Sequence, residues 1–539
     1  MDVQTRRITH AVLLGAVLLL ALVLRLKGIH NPLLDHPGWR QGDTASIARN
    51  FALLQYNVLF PQTNYNGPPP NYVELELQIV PFLAATLYKI FGVHEIFGRL
   101  ITIAFSLGTV YVLALFGRRL FSSEAAGIAA AFLFAVMPGS FYYGRTFTPD
   151  TTMVFFLTAA LYAFMRLLVD EEVWTWKRLT GAGALLALAL LAKPVAIVAL
   201  VPIVAMAVVR RRSERTFRAA GFAIAVVIPC VLFYVYDKIV SAHAEWHWAS
   251  GITSKHVIPA LGAALSNFAA FHAKFTLFHD MLGVLIHFMT GPAIAGIAIA
   301  GFLFMPASTR SRTLLWAWLA GGLAYVYAVV TVERVDYYMY LLLPLAALAG
   351  AGLCARVFDA VRTPALQRSV QVAIAAAAVA ACAGIVVQDR AIAAPYYRYS
   401  RTVYTNARML DAKLQKGALI VMGHYDPSVL YYIGRYGWEE DPYLWTPFDE
   451  QSAIKKGARY YVDIERNRFA RNVELCAWMQ RFPVMDAKAQ WPVYETDPAL
   501  VKPGAEQQWR SFRDAEAKGN ARAWLDAHHV CKLAGLRRH

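Results

Sequence analysis

Residues 77–92 read LQIVPFLAATLYKIFG, and whether that stretch crosses a membrane decides the side on which everything after it lies. Pro81 interrupts it, and Glu74, Glu76, Lys89, His94 and Glu95 flank or enter it. Such a segment suits an amphipathic helix lying in the bilayer interface. The other apolar runs mark eleven candidate spans, at about 8–26, 100–116, 125–141, 151–168, 180–192, 195–209, 219–236, 282–304, 313–331, 338–353 and 370–387. With 77–92 on the surface, one side collects Arg6, Arg7, Arg118, Arg119, Arg166, Lys177, Arg178, Arg210, Arg211, Arg212, Arg215, Arg218, Arg310, Arg312, Arg356, Arg362 and Arg368. Short cytoplasmic loops are enriched in Lys and Arg, so that side is the cytoplasm. If 77–92 crossed, every cluster after it would face outward, against the rule. The surface reading puts the N-terminus inside and residues 388–539 outside. Asp43, Asp150, Lys193, the loop 237–281 and Asp336 then all reach the outer face.

Composition agrees with a membrane protein. Of 539 residues, 58% are hydrophobic and 16% charged, against about 45–50% and 25% in soluble domains. The organisation expected is a polytopic α-helical domain over 1–387, with a long first outer loop at 27–99, and a soluble α/β domain over 388–539. The opening MDVQTRRITHAVLLGAVLLLALVLRL has a long apolar core with no small-x-small site after it, and reads as a retained signal anchor. A net charge of +16 raises nucleic acid as a partner, but no basic stripe with interleaved aromatics accompanies it. The excess charge is that of the loops flanking the spans. Cys230, Cys354 and Cys382 lie in or beside apolar runs, where cysteine behaves as a small buried residue. Cys476 and Cys531 fall in the soluble domain, where an oxidising compartment would let them pair and a reducing one would leave two thiols.

Few residues in this background can carry chemistry. Asp43 follows Gly42 in HPGWRQGDTASIARNFALLQ; it reads either as a helix cap or as a general base. Asp150 follows Pro149 at the start of a span, with Tyr142, Tyr143 and Arg145 before it. It is a cap favoured by the helix dipole or part of a polar site at the water–lipid boundary. Lys193 breaks the apolar ALLALALLAKPVAIVALVP; it either snorkels to the headgroups or serves as a point charge for a phosphate. His243, Glu245 and His247 alternate along an extended stretch and are the one candidate set for a divalent metal, though no recognised metal motif surrounds them. Trp246 and Trp248 in the same stretch fit an interfacial aromatic belt without metal.

Five segments in order resemble the GT-C glycosyltransferases, particularly the ArnT/protein-O-mannosyltransferase superfamily. They are WRQGDT (39–44) with the following ASIARNFALLQ, PPPNYVELELQIVPFLAATLYKIFGVHEIFGRL (68–100), FTPDTTMVFFLTAALYAF (147–164), LLAKPVAIVAL (190–200) and RVDYYMYLLLPLAALAG (334–350). The matches cover about residues 8–355. The resemblance implies inverting transfer of a sugar from a polyprenyl-phosphate donor to a lipid, glycan or protein acceptor at the outer, periplasmic face of a bacterial inner membrane. Carried over, Asp43 orients or deprotonates the acceptor, Asp150 shapes the site, and Lys193 neutralises the donor phosphate. Arg145 and Arg334 are further phosphate candidates by location. The resemblance demands no cofactor, and dependence on a divalent metal stays open. One outer cavity lined by Asp43, Asp150 and Lys193 is expected.

The chain also departs from the pattern. Asp43-Thr44 stands where the family often has Asp-Glu, and Asn66-Gly67 stands where the aminoarabinose enzymes have Glu-Lys before the proline pair. Glu74 and Glu76 are candidate substitutes. These differences argue against lipid A aminoarabinosylation.

In the soluble region ALIVMG (418–423), ARYYVDI (458–464) and WPVYET read as strands, while PSVLYYIGRYG and NVELCAWMQRF read as helical. A structural or acceptor-side domain fits this better than a second active site, since no Gly-rich phosphate fingerprint is present. Two other function classes share the polytopic pattern. A transporter or flippase of lipid-linked sugars would show internal repeats and mid-membrane charges, and neither is evident. A membrane scaffold leaves the long polar first loop unexplained.

Overall fold

The computed structural model describes residues 3–169, 174–213, 219–304, 308–361 and 367–531; Arg215, Arg218 and Arg362 of the basic clusters lie outside them. The chain forms two compact units. The first comprises Met1–Asn31, Tyr56–Phe60 and Val73–Arg398, and the second Pro32–Gln55, Pro61–Tyr72 and Tyr399–His539. This differs from a single cut at residue 387. Most of the first outer loop belongs with the C-terminal unit, for the packing reasons given below.

Among the described residues of the first unit, seven helices are long and apolar enough to cross a bilayer: Ile8–Leu26, Glu95–Leu120, Asp150–Leu168, Ala220–Ser241, Ser311–Glu333, Asp336–Val361 and the helix beginning at Arg368. Three other expected spans fall on shorter helices. Glu124–Val136 begins at a Ser123 cap and stops ahead of Pro138, so it is shorter than the run 125–141 suggests. Trp176–Ala192 ends at Lys193, and a 3-10 turn, Pro194–Ala199, leads into Leu200–Ser213. The expected span 282–304 is not one helix. Phe268–Thr290 and Pro292–Leu303 meet at a 108° bend, made at Gly291, whose φ of +79° suits glycine. Counting that pair as one span gives eight by length and composition among the described residues, and the three shorter helices stand at the remaining expected spans.

The decisive stretch becomes the helix Ile79–Phe91. At 1.5 Å per residue it spans about 20 Å, short of a hydrocarbon core of about 30 Å. Pro81 does not interrupt it. It sits in the first turn, where a helix has no partner for the missing N–H.

Close helix packing in this unit relies on small residues, as membrane bundles do. A Cβ on Gly117 would lie 2.8 Å from the Ala126 carbonyl oxygen, and one on Gly127 would lie 2.5 Å from that of Ala114. The helices Glu95–Leu120 and Glu124–Val136 therefore touch backbone to backbone. Buried Arg25 braces them, donating to Ser106 Oγ at 2.6 Å, Ser140 Oγ at 2.8 Å and the Ala135 carbonyl at 3.2 Å. A two-stranded parallel pair, β1 (Val73–Glu74) and β2 (Trp246–His247), ties together two segments of this unit that are distant in sequence.

The second unit holds a four-stranded sheet of β3 (Leu419–Met422), β4 (Tyr436–Glu439), β5 (Ala458–Val462) and β6 (Val493–Glu495), in the order β4-β3-β5-β6. β3 runs parallel to β4 and β5, and β6 is antiparallel to β5. β4 lies inside the run PSVLYYIGRYG that reads as helical. The helix Pro427–Ile433 stops at Gly434, whose φ of +69° turns the chain into the strand. Cys476 and Cys531 form a disulfide with Cα atoms 6.2 Å apart.

First-loop residues complete this unit. The helix Gly38–Leu53 packs on Pro427–Ile433, and a Cβ on Gly42 would lie 2.4 Å from the Ser428 Cα. The loop 61–72 pairs with the edge strand β4: Gly67 N–H donates to the Gly437 carbonyl at 2.8 Å, and Gly437 N–H donates to that of Asn64 at 3.0 Å.

Candidate active site

In the first unit the structure joins two residues that lie 43 positions apart in sequence. Asp150 is the first residue of its helix, with Pro149 at the cap position and no side-chain cap bond, so the capping role does not hold. Lys193 is extended between a helix that ends ahead of Pro194 and the turn that Pro194 opens. Its Nζ lies 2.5 Å from Asp150 Oδ1, and both side chains are buried. Lys193 therefore does not snorkel to water; it is neutralised by Asp150. Its ammonium also sits 4.3 Å from the ring centroid of Tyr338 and 5.2 Å from that of Tyr337, within cation–π range. Asp150 Oδ2 is buried with no hydrogen-bond partner among the described residues.

The segment RVDYYMY supplies the surrounding aromatics. Asp336 opens a 3-10 turn, Asp336–Leu342; its Oδ1 accepts from Tyr337 N–H and its Oδ2 from the Tyr396 hydroxyl, each at 2.8 Å. Tyr396 stacks on Phe288 with centroids 3.7 Å apart. Tyr396 lies beyond every motif in the sequence and carried no signal there. The tyrosine pair 337–338 was visible as a motif, without a role.

The other candidates of this unit have different surroundings. Arg145 is buried and donates to the Gly28 carbonyl at 3.0 Å, its guanidinium over the rings of Tyr142 and Tyr397. That is the environment of a brace. Arg334 is exposed at a corner with φ +54°. Glu74 is buried and accepts from the Ser250 N–H and hydroxyl at 3.1 Å. Burial, opposed by Ser250 and reinforced by the neighbouring Asp237 carboxyl, pushes its acid up to about 7. Glu76 is buried two residues on. His243 stacks on Phe60 with centroids 4.4 Å apart, while His247 lies exposed in β2. Among the described residues no three His, Cys, Asp or Glu side chains group as metal ligands, so His243, Glu245 and His247 do not assemble such a set.

Asp43 lies in the second unit. Its helix begins at Gly38 behind a Pro37 cap, so Asp43 is inside the helix and caps nothing. It is buried, and its Oδ1 accepts from the Tyr65 hydroxyl at 2.8 Å. Glu439, at the end of β4, is the other acid of this neighbourhood. Burial, then the charges of Asp43, Asp426 and Glu440, hold its carboxyl well above the usual range. Neither Tyr65 nor Glu439 was marked by sequence, because both depend on loop 61–72 pairing with β4. Each unit thus holds part of the expected constellation: Asp150 with Lys193 in one, Asp43 with Tyr65 in the other.

Residues 78–236, which include Asp150 and Lys193, match the family model described as dolichyl-phosphate-mannose-protein mannosyltransferase. No curated protein matches the chain. Among solved structures, the chain is similar to ArnT from Cupriavidus metallidurans bound to undecaprenyl phosphate, with a TM-score of 0.59, 16% identity, and 92% of this chain and 99% of that chain covered. The apo state of the same enzyme matches with a TM-score of 0.56 over the same shares. The chain has an ArnT-like GT-C fold. The fold also makes this a multi-pass membrane protein, in keeping with its apolar helices.

Proposed function

We propose that this GT-C-fold protein is a membrane glycosyltransferase that moves a sugar from a polyprenyl-phosphate donor to an acceptor on the periplasmic face. The observation that carries the reading is the buried Asp150–Lys193 pair with Tyr337 and Tyr338 around it. A buried ammonium is stable only when compensated, and removing one partner of such a pair costs about 3–5 kcal/mol. Keeping a lysine there suits an anionic ligand that can share it.

In the proposed reaction the bond from the sugar C1 to the phosphate oxygen breaks, and its electron pair leaves with the polyprenyl phosphate. The acceptor oxygen bonds to C1 from the opposite face. Lys193 offsets the charge that develops on the departing phosphate, and Asp150 fixes the ammonium in place. A hydroxyl acceptor must also lose a proton, and Asp43 is the proposed base, a role that rests on the WRQGDT resemblance. Arg334, exposed beside Asp336, is a second proposed phosphate contact. The Cys476–Cys531 disulfide supports an oxidising compartment for the C-terminal unit, in line with the basic loops lying on the cytoplasmic side.

The test supplies purified protein in nanodiscs with undecaprenyl-phosphate-linked sugars and follows release of undecaprenyl phosphate. Asp43→Asn should abolish release while donor binding survives. Unchanged release would remove Asp43 from the mechanism.

A further inference from the structure

In open α/β sheets, ligands bind at the carboxyl ends of the parallel strands, where the connecting loops converge. In the C-terminal unit those ends carry His424 and Tyr425 after β3, the loop 440–448 after β4, and Asp463 and Glu465 after β5. The proposed transfer uses none of them.

The loop after β4 is held by several side-chain hydrogen bonds. The Asn472 amide donates to the carbonyls of Pro442 at 2.9 Å and Trp445 at 2.7 Å. Arg468 grips Asp441 through Nε at 2.8 Å and through Nη2. The Trp445 indole N–H donates to Glu450 at 2.8 Å, and Thr446 and Asp449 form a capping box at the next helix. On this frame Tyr443 is 56% exposed, Leu444 70% and Phe448 77%, and Tyr425 from the neighbouring loop is 64% exposed. Large apolar side chains left in solvent on a fixed loop mark a binding surface, and a frame already ordered loses little entropy when a ligand settles on it.

The polar groups at the same edge narrow the ligand. His424 Nδ1 lies 2.5 Å from Glu465 Oε1, and Glu465 Oε2 lies 3.3 Å from Arg468 Nε. Glu440 and Asp449 add further carboxylates. Asp463 is buried, and its Oδ1 has no hydrogen-bond partner among the described residues. Acceptors outnumber cations, so the edge disfavours phosphate or sulfate and favours a ligand rich in hydrogen-bond donors. A pyranose ring meets both demands: its C–H face lies on an aromatic ring, and its hydroxyls donate to carboxylates.

We infer that the carboxyl edge of this sheet, with Tyr425, Tyr443 and Phe448 as stacking faces, is a saccharide-binding platform for neutral sugar chains. It extends the transferase reading by giving the C-terminal unit an acceptor-side role. That role rests on the reading; the binding itself does not.

The experiment titrates the full-length protein in nanodiscs with maltohexaose, cellohexaose and chitohexaose, reading saturation transfer from protein to ligand by NMR. Saturable binding of at least one oligosaccharide is expected, weakened about tenfold or more by Tyr443→Ala and by Phe448→Ala, with melting temperatures unchanged because both side chains are exposed. Binding is read without turnover, so a failed platform and a failed transferase assignment are told apart. The inference is overturned if none of the three binds, or if the variants bind as well as the parent. A share of bromolipid quenching that is lost in Trp445→Phe would assign the patch to the bilayer and overturn it equally.

Discussion

At the residue scale, the buried ion pair separates structural from functional roles. Lys193→Met alone leaves the Asp150 carboxylate buried without its partner and should lower stability by about 3–5 kcal/mol. Asp150→Asn with Lys193→Met leaves no net charge and should recover much of that loss, as read by thermal melting in detergent. Sugar transfer should stay absent in both. Recovery of activity together with stability would make the pair a packing device only. A second residue reports through pH. Glu450 is fully buried in the C-terminal unit and accepts from the Trp445 indole. Burial pushes its acid up to about 8, the Trp445 bond opposing and the charge of Asp449 adding. A folded value above the unfolded one means the native state holds the proton longer. Stability is therefore fullest below the ordinary range near 4.5 and falls as pH rises towards about 8. Glu450→Gln should flatten that decline in melting curves taken from pH 5 to pH 8; an unaltered slope would contradict the burial argument.

At the scale of elements, glycines decide what meets what. Gly42→Ala would drive a methyl against the Ser428 backbone, and backbone cannot rotate aside. The helix bearing Asp43 would have to shift, at a cost of about 1–3 kcal/mol typical of overpacking. Melting of the C-terminal unit is the measurement, and an unchanged midpoint would show that the contact is loose. Sequence reached some of these elements and not others, for physical reasons. Asp150 and Lys193 were legible because a charge among apolar residues is conspicuous. Asp43 was legible as an acid but misplaced as a cap, because its helix starts at Gly38, five residues ahead of it. Pro81 looked like an interruption because its place in the first turn depends on where the helix begins. The 108° bend at Gly291 was hidden, since hydropathy is continuous through it. β4 was hidden because its residues extend a helical pattern and pair only with distant β3.

At the scale of the molecule, the helical membrane architecture was legible from composition and charge, while the division into units was not. The first loop returns twice to the C-terminal unit through contacts such as Gly67 with Gly437, and sequence distance gives no hint of such pairing. What the whole chain is proposed to do rests on recognition of a lipid phosphate by the GT-C-fold unit. Native mass spectrometry of the protein with undecaprenyl phosphate, and in parallel with undecaprenol, tests that recognition. One undecaprenyl phosphate per chain should bind the parent, the alcohol should not compete, and Asp150→Asn with Lys193→Met should lose the adduct. Equal binding of the alcohol, or an undiminished adduct in the double variant, would contradict it.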